Sequence, residues 1–273
     1  MARISVIMGI YNCASTLVEA LDSIYAQTYQ DFKIILCEDG SADNTYEVAE
    51  EYVAHQDNII LIRNEKNLKL AGTLNRCLKY VDTEYVARMD GDDVSLPTRF
   101  EKEVAFLDEH PEYALVSCPM IYFDESGDWM IGSQKEKPKK TDFYFGHLFC
   151  HAPMMMRTSV LKEVGGYTDE PWTIRCEDYY LWYKIYKAGY VGYNIQEPLY
   201  KMRDNRVAFR RRTIQSRWNF YKVSVKVKKS LGLKFPYLSG CFDLAKVLLP
   251  NSVLRSCRQL LGRLLLIGNS VKG

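Results

Sequence analysis

Short apolar runs alternate with amphipathic stretches through the first three quarters of the chain. Ile4-Ser5-Val6-Ile7-Met8 predicts a buried strand that stops at Gly9, with Tyr11-Asn12 in the loop beyond it. Residues 15–28 repeat Leu17, Ala20, Leu21, Ile24 and Tyr25 at helical spacing. Phe32-Lys33-Ile34-Ile35-Leu36-Cys37 predicts a second strand, interrupted by Glu38-Asp39-Gly40-Ser41-Ala42-Asp43, of which Asp43 or Ser41 can cap a helix running to about His55. A strand over Ile59–Ile62, a helix from Leu70 to Tyr80 and a strand from Tyr85 to Met89 follow. Pro97 then opens a helix reaching about Glu109.

Beyond that helix the pattern predicts one long strand over Ala114–Phe123, a turn at Glu125-Ser126-Gly127-Asp128 and a return strand at Trp129-Met130-Ile131. Lys135–Lys140 reads as a mobile charged loop, and Ala152–Met156 as an apolar run. Helices are expected at Thr158–Val164 and Glu177–Ala188, and edge strands at Val191–Ile195 and Leu199–Met202. Strands alternating with helices of this length imply βαβ units, hence an α/β fold with a mostly parallel sheet flanked by helices. Ligands of such sheets bind beyond the carboxyl ends of the strands, which gathers the loops Gly9–Asn12, Glu38–Ser41 and Asp90–Asp93.

Two of those three loops are acidic. Asp90-Gly91-Asp92-Asp93 places three carboxylates in four positions directly after an apolar, β-prone run. Crowded carboxylates disfavour joint ionisation, and a hard dication such as Mg²⁺ or Mn²⁺ relieves the repulsion. On local grounds the same residues also suit an acidic turn.

Composition adds one large fact. Residues 1–205 carry 21 Lys+Arg against 33 Asp+Glu, whereas residues 206–273 carry 15 against one, Asp243. This splits the chain into an acidic body, 1–205, and a basic region, 206–273, whose interleaved leucines and arginines predict two or three amphipathic helices. The eight cysteines are scattered without a C-x-x-C pair, which argues against a zinc site and for buried thiols. His147 and His151 stand four apart, but no third ligand lies near them in the sequence. With no secretory signal and no apolar run of about 18 residues, the expectation is a cytoplasmic protein.

In order, Tyr11-Asn12, Glu38-Asp39-Gly40-Ser41, Asn67 through Asn75, Asp90-Gly91-Asp92-Asp93 and Glu177-Asp178 resemble the motifs of family 2 glycosyltransferases. The resemblance spans residues 3–205, and five motifs in register are specific where each alone is weak. It implies the Rossmann-like GT-A fold and inverting, nucleotide-sugar-dependent transfer. It is strongest toward small bacterial transferases that build O-antigen or capsule repeat units on a lipid carrier. The resemblance assigns Tyr11, Asn12, Glu38, Asp39, Lys69, Asn75, Asp90 and Asp92 to the UDP part of the donor. Asp92 would hold Mg²⁺ or Mn²⁺, and Asp178 would be the general base. Asp93, His151, Glu177 and Trp172 are further candidates for donor or acceptor contacts. Three departures stand out: Gly9 replaces a common proline, Glu38 a more frequent aspartate, and Lys69 a usual glycine.

The expected partners are a UDP-sugar and a saccharide acceptor on a polyprenyl diphosphate, with peripheral attachment to the inner membrane surface through the basic region. That region could instead pack on the acidic body; nucleic acid is disfavoured because its aromatics follow a helical packing pattern. Gln215-Ser216-Arg217-Trp218 is one residue short of the Q-x-x-R-W run of processive synthases, so no processivity is inferred. Of the alternatives, a nucleotide-sugar-binding subunit without activity conflicts with the intact Asp92 and Asp178. A nucleotidyltransferase would want a glycine-rich basic loop, which Gly9–Thr16 lacks. Nothing in the sequence sets the oligomeric state.

Overall fold

The computed structural model describes residues 2–146, 148–204 and 214–237. The elements run β1 (Ile4–Ile10), α1 (Leu17–Tyr25), β2 (Phe32–Glu38), α2 (Thr45–Val53), β3 (Ile59–Arg63), α3 (Lys69–Leu78), β4 (Tyr85–Arg88), β5 (Val94–Ser95) and α4 (Arg99–Glu109). Then come β6 (Tyr113–Ser117), β7 (Met120–Asp124), β8 (Gly127–Ile131), β9 (Met155–Arg157), α5 (Thr158–Glu163), α6 (Glu177–Lys187), β10 (Val191–Asn194) and β11 (Tyr200–Arg203). The last described helix, α7, is Ile214–Ser230.

Seven strands form the central sheet in the order β10-β6-β9-β4-β1-β2-β3. The block β4-β1-β2-β3 is parallel throughout, and β9 enters antiparallel between β4 and β6. β1 and β2 are buried along nearly their whole length, as strands covered by helices on both faces must be. The chain proceeds from β1 outward through β2 and β3, then returns to place β4 on the other side of β1. That reversal leaves a crevice beyond the carboxyl ends of β1 and β4. A second sheet, β5-β11-β7-β8, stands beside it.

Several expectations need correction. β1 continues through Gly9 to Ile10, where Gly9 pairs with Cys37. The strand expected over Ala114–Phe123 is two strands in two different sheets, because the chain breaks at Cys118-Pro119 and proline cannot donate to a ladder. β11 is not an edge strand; it lies between β5 and β7. The segment expected as a mobile loop is fastened. Lys135 pairs with Asp142 at 2.7 Å, the Glu136 carbonyl accepts from Asn194, and the Pro138 carbonyl accepts from the Tyr186 hydroxyl. The basic region is also less separate than its composition suggests: Val223 and Val227 of α7 are buried in the core shared with Tyr179, Trp182 and Tyr183 of α6. Residues 205–213 and 238–273 of that region, and His147, lie outside the described residues.

One buried pair supports the sheet beneath the site. Arg99 and Glu103, one turn apart on α4, are both fully buried and 3.2 Å apart. Burial outweighs the Arg99 charge and pushes the Glu103 carboxyl up to about 7. Since its folded pKa exceeds the unfolded value, the folded state binds the extra proton. That stabilisation is complete below about pH 4.5 and is lost as pH rises through 7. The unfolding free energy from urea titrations is therefore expected to fall by about 2 kcal/mol between pH 5 and 7.5 through this group. Glu103→Gln should flatten that slope whatever its effect on absolute stability.

Candidate active site

Three loops at the carboxyl end of the sheet are laced together. Asn12 adopts a left-handed conformation (φ 50°), which asparagine tolerates. Its Oδ1 accepts from the Ala42 N–H at 2.8 Å, while its own N–H donates to Ser41 Oγ at 3.0 Å. Tyr11 beside it is exposed and presents a free aromatic face. At the end of β2, Glu38 is fully buried. Its Oε1 accepts from the Ser41 N–H, and Oε2 lies 3.4 Å from Arg63 Nε, so Glu38 shapes the turn from within. Asp39 is nearly buried, and its Oδ1 accepts from Asn64 Nδ2 and the Leu68 N–H, both at 2.7 Å. Beside this acid a cleft of about 590 Å³ opens between Gly40, Ser41, Arg63, Asn64 and Glu65. The Arg63 guanidinium also lies 4.0 Å from the Tyr46 ring centre.

Lys69 begins α3 with φ 65°, a conformation that favours glycine. This is the physical reason a glycine suits the position. Lys69→Gly is expected to raise stability by about 1 kcal/mol and Tm by ~2–4 °C, measured by thermal unfolding. A fall in UDP affinity in the same variant would mark the lysine as a phosphate contact. Asn75, assigned to the donor by the resemblance, is half-buried. Its Oδ1 accepts from the Tyr167 N–H and its Nδ2 donates to the Tyr167 carbonyl, both at 2.9 Å, so the amide staples α3 to the 165–170 loop.

Asp90, Asp92 and Asp93 come together at the end of β4, where each offers one oxygen within 4.8 Å of the others. Gly91 is demanded by close approach, since a Cβ there would meet Cys13 Sγ at 2.8 Å and Ile10 Cγ2 at 3.0 Å. Behind the cluster, buried Arg88 pairs with Asp90, and the Tyr200 hydroxyl accepts from the Asp90 N–H at 3.2 Å. Arg203 on β11 donates through Nε to the Asp92 carbonyl at 3.0 Å and through its backbone N–H to Asp93 Oδ1 at 2.8 Å. Its guanidinium also reaches Glu19 at 2.5 Å. Burial and the charges of Asp90 and Asp92 push the Asp93 carboxyl well above the usual range. A set of three hard oxygens with one member held up in this way suits a dication, which would replace mutual repulsion with attraction.

On the far side, Glu177 and Asp178 occupy the first turn of α6. Asp178 Oδ1 accepts from the Tyr179 N–H at 2.7 Å, and burial raises the mostly buried Glu177 carboxyl. Tyr167 links the two acidic groups: its buried hydroxyl lies 2.8 Å from His151 Nε2 and within the fields of Asp178 and Asp90. Burial, then the Arg88 charge, holds the His151 imidazole well below its ordinary pKa, hence neutral. Trp172 is not open to a ligand on the face it gives to α7, where the Lys226 ammonium sits 3.9 Å from its ring centre.

The supporting residues Arg88, Tyr167, Tyr200 and Arg203 were missed from sequence. Only Arg88 left a readable sign, a charge inside an apolar strand run. The other three reach the site only through tertiary packing.

A parallel sheet of this order, an acidic cluster at its switch point and a carboxylate-headed helix opposite define a GT-A glycosyltransferase fold. The chain belongs to glycosyl transferase family 2, whose family model matches residues 5–165. It is 44% identical over 212 residues, 77% of this chain and 76% of the relative, to EpsE of Bacillus subtilis, which carries a glycosyltransferase name. It is 28% identical over 193 residues, 69% of this chain and 72% of the relative, to WfaP of Escherichia coli. That protein is named as a UDP-Glc:α-D-GlcNAc-diphosphoundecaprenol β-1,3-glucosyltransferase. S. aureus TarS residues 1–349, solved with UDP-GlcNAc, shares the fold at TM-score 0.68 and 20% identity, over 91% of this chain and 72% of that one. No helix among the described residues is long and apolar enough to cross a membrane.

Proposed function

We propose that the protein is an inverting transferase that moves one sugar from a UDP-sugar to a hydroxyl of a lipid-linked saccharide, within bacterial polysaccharide assembly. The observation that carries this reading is the acidic line across the sheet end: Asp39 beside a cleft, the Asp90–Asp92–Asp93 cluster at the centre, and Asp178 at the head of α6. The relative named for UDP-glucose and a diphosphoundecaprenol acceptor supports the choice of donor and carrier.

Uracil and ribose are placed at the Asp39–Asn64 cleft, with Tyr11 offering a stacking face. Asp92, with Asp90 and Asp93, would hold Mg²⁺ or Mn²⁺. A dication there supplies charge stabilisation for the departing diphosphate. Asp178 takes the proton of the acceptor hydroxyl as its oxygen bonds to the anomeric carbon. The bond from that carbon to the diphosphate oxygen breaks, and UDP leaves with the electron pair. A single displacement inverts the centre, so a UDP-α-sugar yields a β-linkage. His151 enters this reading as a neutral imidazole bonded to the Tyr167 hydroxyl. The stretch that matches the family ends before Asp178, so the base rests on its position at the head of α6 rather than on that match.

The test is a panel of UDP-sugars offered with a polyprenyl-diphosphate-linked saccharide, following UDP release and determining product linkage by NMR. A metal-dependent β-linked product is the expected result. Release of UDP from no donor, or an α-linked product, would sink the reading.

A further inference from the structure

Among the described residues, exposed apolar side chains gather beside α7. Phe145 is 85% exposed and Phe235 73%. The two belong to one spot, because the Tyr144 hydroxyl donates to the Lys234 carbonyl at 2.5 Å and so fastens the neighbouring segments together. Tyr237, Trp218 and Ile214 are exposed as well. Along α7, Ile214, Trp218, Lys222 and Lys229 stand four, four and seven residues apart, all exposed, as one outward stripe. The Lys222 ammonium lies 5.7 Å from the Trp218 ring centre, and that of Lys229 4.3 Å from Tyr237. Residues 214–237 hold six Lys and Arg and no Asp or Glu, on a protein whose first 205 residues are strongly acidic.

The inner side of this helix is committed to the active domain. Phe220 packs 5.0 Å from Tyr179, next to Asp178, and Lys226 covers Trp172 in the segment just before α6. The exposed face is therefore one helix layer from the base.

Exposed phenylalanines flanked by Trp, Tyr and lysines match the chemistry of a bilayer interface: rings sit at headgroup depth, an apolar wedge inserts, and cations meet anionic lipid. The acidic body is repelled by the same surface, which leaves one orientation. We propose that the Phe145–Phe235 knob and the basic stripe of α7 dock on an anionic bilayer and hold the acceptor side of the site toward the lipid. This rests on the lipid-linked acceptor of the reading above, and it adds the surface and orientation.

The test is co-sedimentation of the full chain with vesicles of phosphatidylcholine alone and of phosphatidylcholine with phosphatidylglycerol, three to one. Wild type is compared with Phe145→Ser/Phe235→Ser and with Lys222→Glu/Lys229→Glu, each checked for fold by circular dichroism. Binding only to the anionic vesicles is expected, weakened at least about tenfold in each double variant and by added salt. Residues 206–213 and 238–273 are present in every protein. Binding that both variants retain in full, or equal binding to the two vesicle types, overturns the inference. So does a dimer that Phe145→Ser/Phe235→Ser dissociates, because a second copy would then cover the patch. Transfer to a soluble acceptor analogue separates the two readings. Wild-type transfer with vesicle binding untouched by the variants removes the docking surface alone. Absence of transfer in the wild type removes the transferase reading, while the vesicle series still judges the surface.

Discussion

Asp178→Asn is expected to reduce sugar transfer by about 10²–10⁴-fold while UDP binding stays within about twofold of wild type. The amide keeps the shape of the side chain and can still accept from the Tyr179 N–H, so the first turn of α6 should persist. What it loses is the ability to take a proton from the acceptor hydroxyl as that oxygen attacks. The proposed donor site lies on other elements, the ends of β2 and β4, and should not register the change. Stopped or steady-state UDP release, with calorimetric titration of UDP, checks both halves. Turnover near wild type would remove Asp178 as the base. Weakened UDP binding would instead place it at the donor.

Asp92→Asn is expected to abolish the metal-dependent part of UDP binding and to lower turnover by about 10²-fold or more. The same variant should be more stable than wild type without metal. In the folded protein burial, then the charges of Asp90 and Asp92, push the Asp93 carboxyl upward, so the metal-free cluster holds mutual repulsion that one fewer charge relieves. Wild type should gain thermal stability on adding Mn²⁺ or Mg²⁺, because an ion that binds only the folded state shifts the unfolding equilibrium. Asp92→Asn should start higher and gain little. An unchanged metal-induced shift would move the ligand role to Asp90 or Asp93.

Much of the architecture was legible because it rests on local rules. Buried parallel strands carry near-continuous apolar runs, as Val6–Ile10 of β1, Ile34–Cys37 of β2 and Tyr85–Ala87 of β4 do. Helices that cover them must show one apolar stripe, as Leu17, Ala20, Leu21 and Ile24 do. Where sequence reading failed, the determining contact was non-local. Cys118-Pro119 looked like the middle of a strand until β6 and β7 were assigned to different sheets. Lys135–Lys140 looked like a free charged loop, yet its carbonyls meet Asn194 and Tyr186, more than 45 positions away. The basic region looked like an appendage, because net charge reports the outer face of α7 and not the valines on its inner face.

The candidate site divides the same way. Acidic groups at strand ends can be read from sequence, since β-prone runs that stop at carboxylates mark where strands end, and topology brings the ends of β1, β2 and β4 to one edge. Their individual roles cannot be read so. Asn75 was legible as a polar residue on a helix near the site, but only packing against Tyr167 uses up both ends of its amide. Lys69 was legible as an oddity, and only the backbone angle explains it. The sequence by itself determined the alternation that builds the sheet, and with it the edge where Asp39, Asp90, Asp92 and Asp93 must lie. The tertiary structure alone decided what braces the cluster from behind. Arg203, which donates to the Asp92 carbonyl and the Asp93 carboxylate, arrives from at least 110 positions away in the chain, beyond the reach of any local pattern.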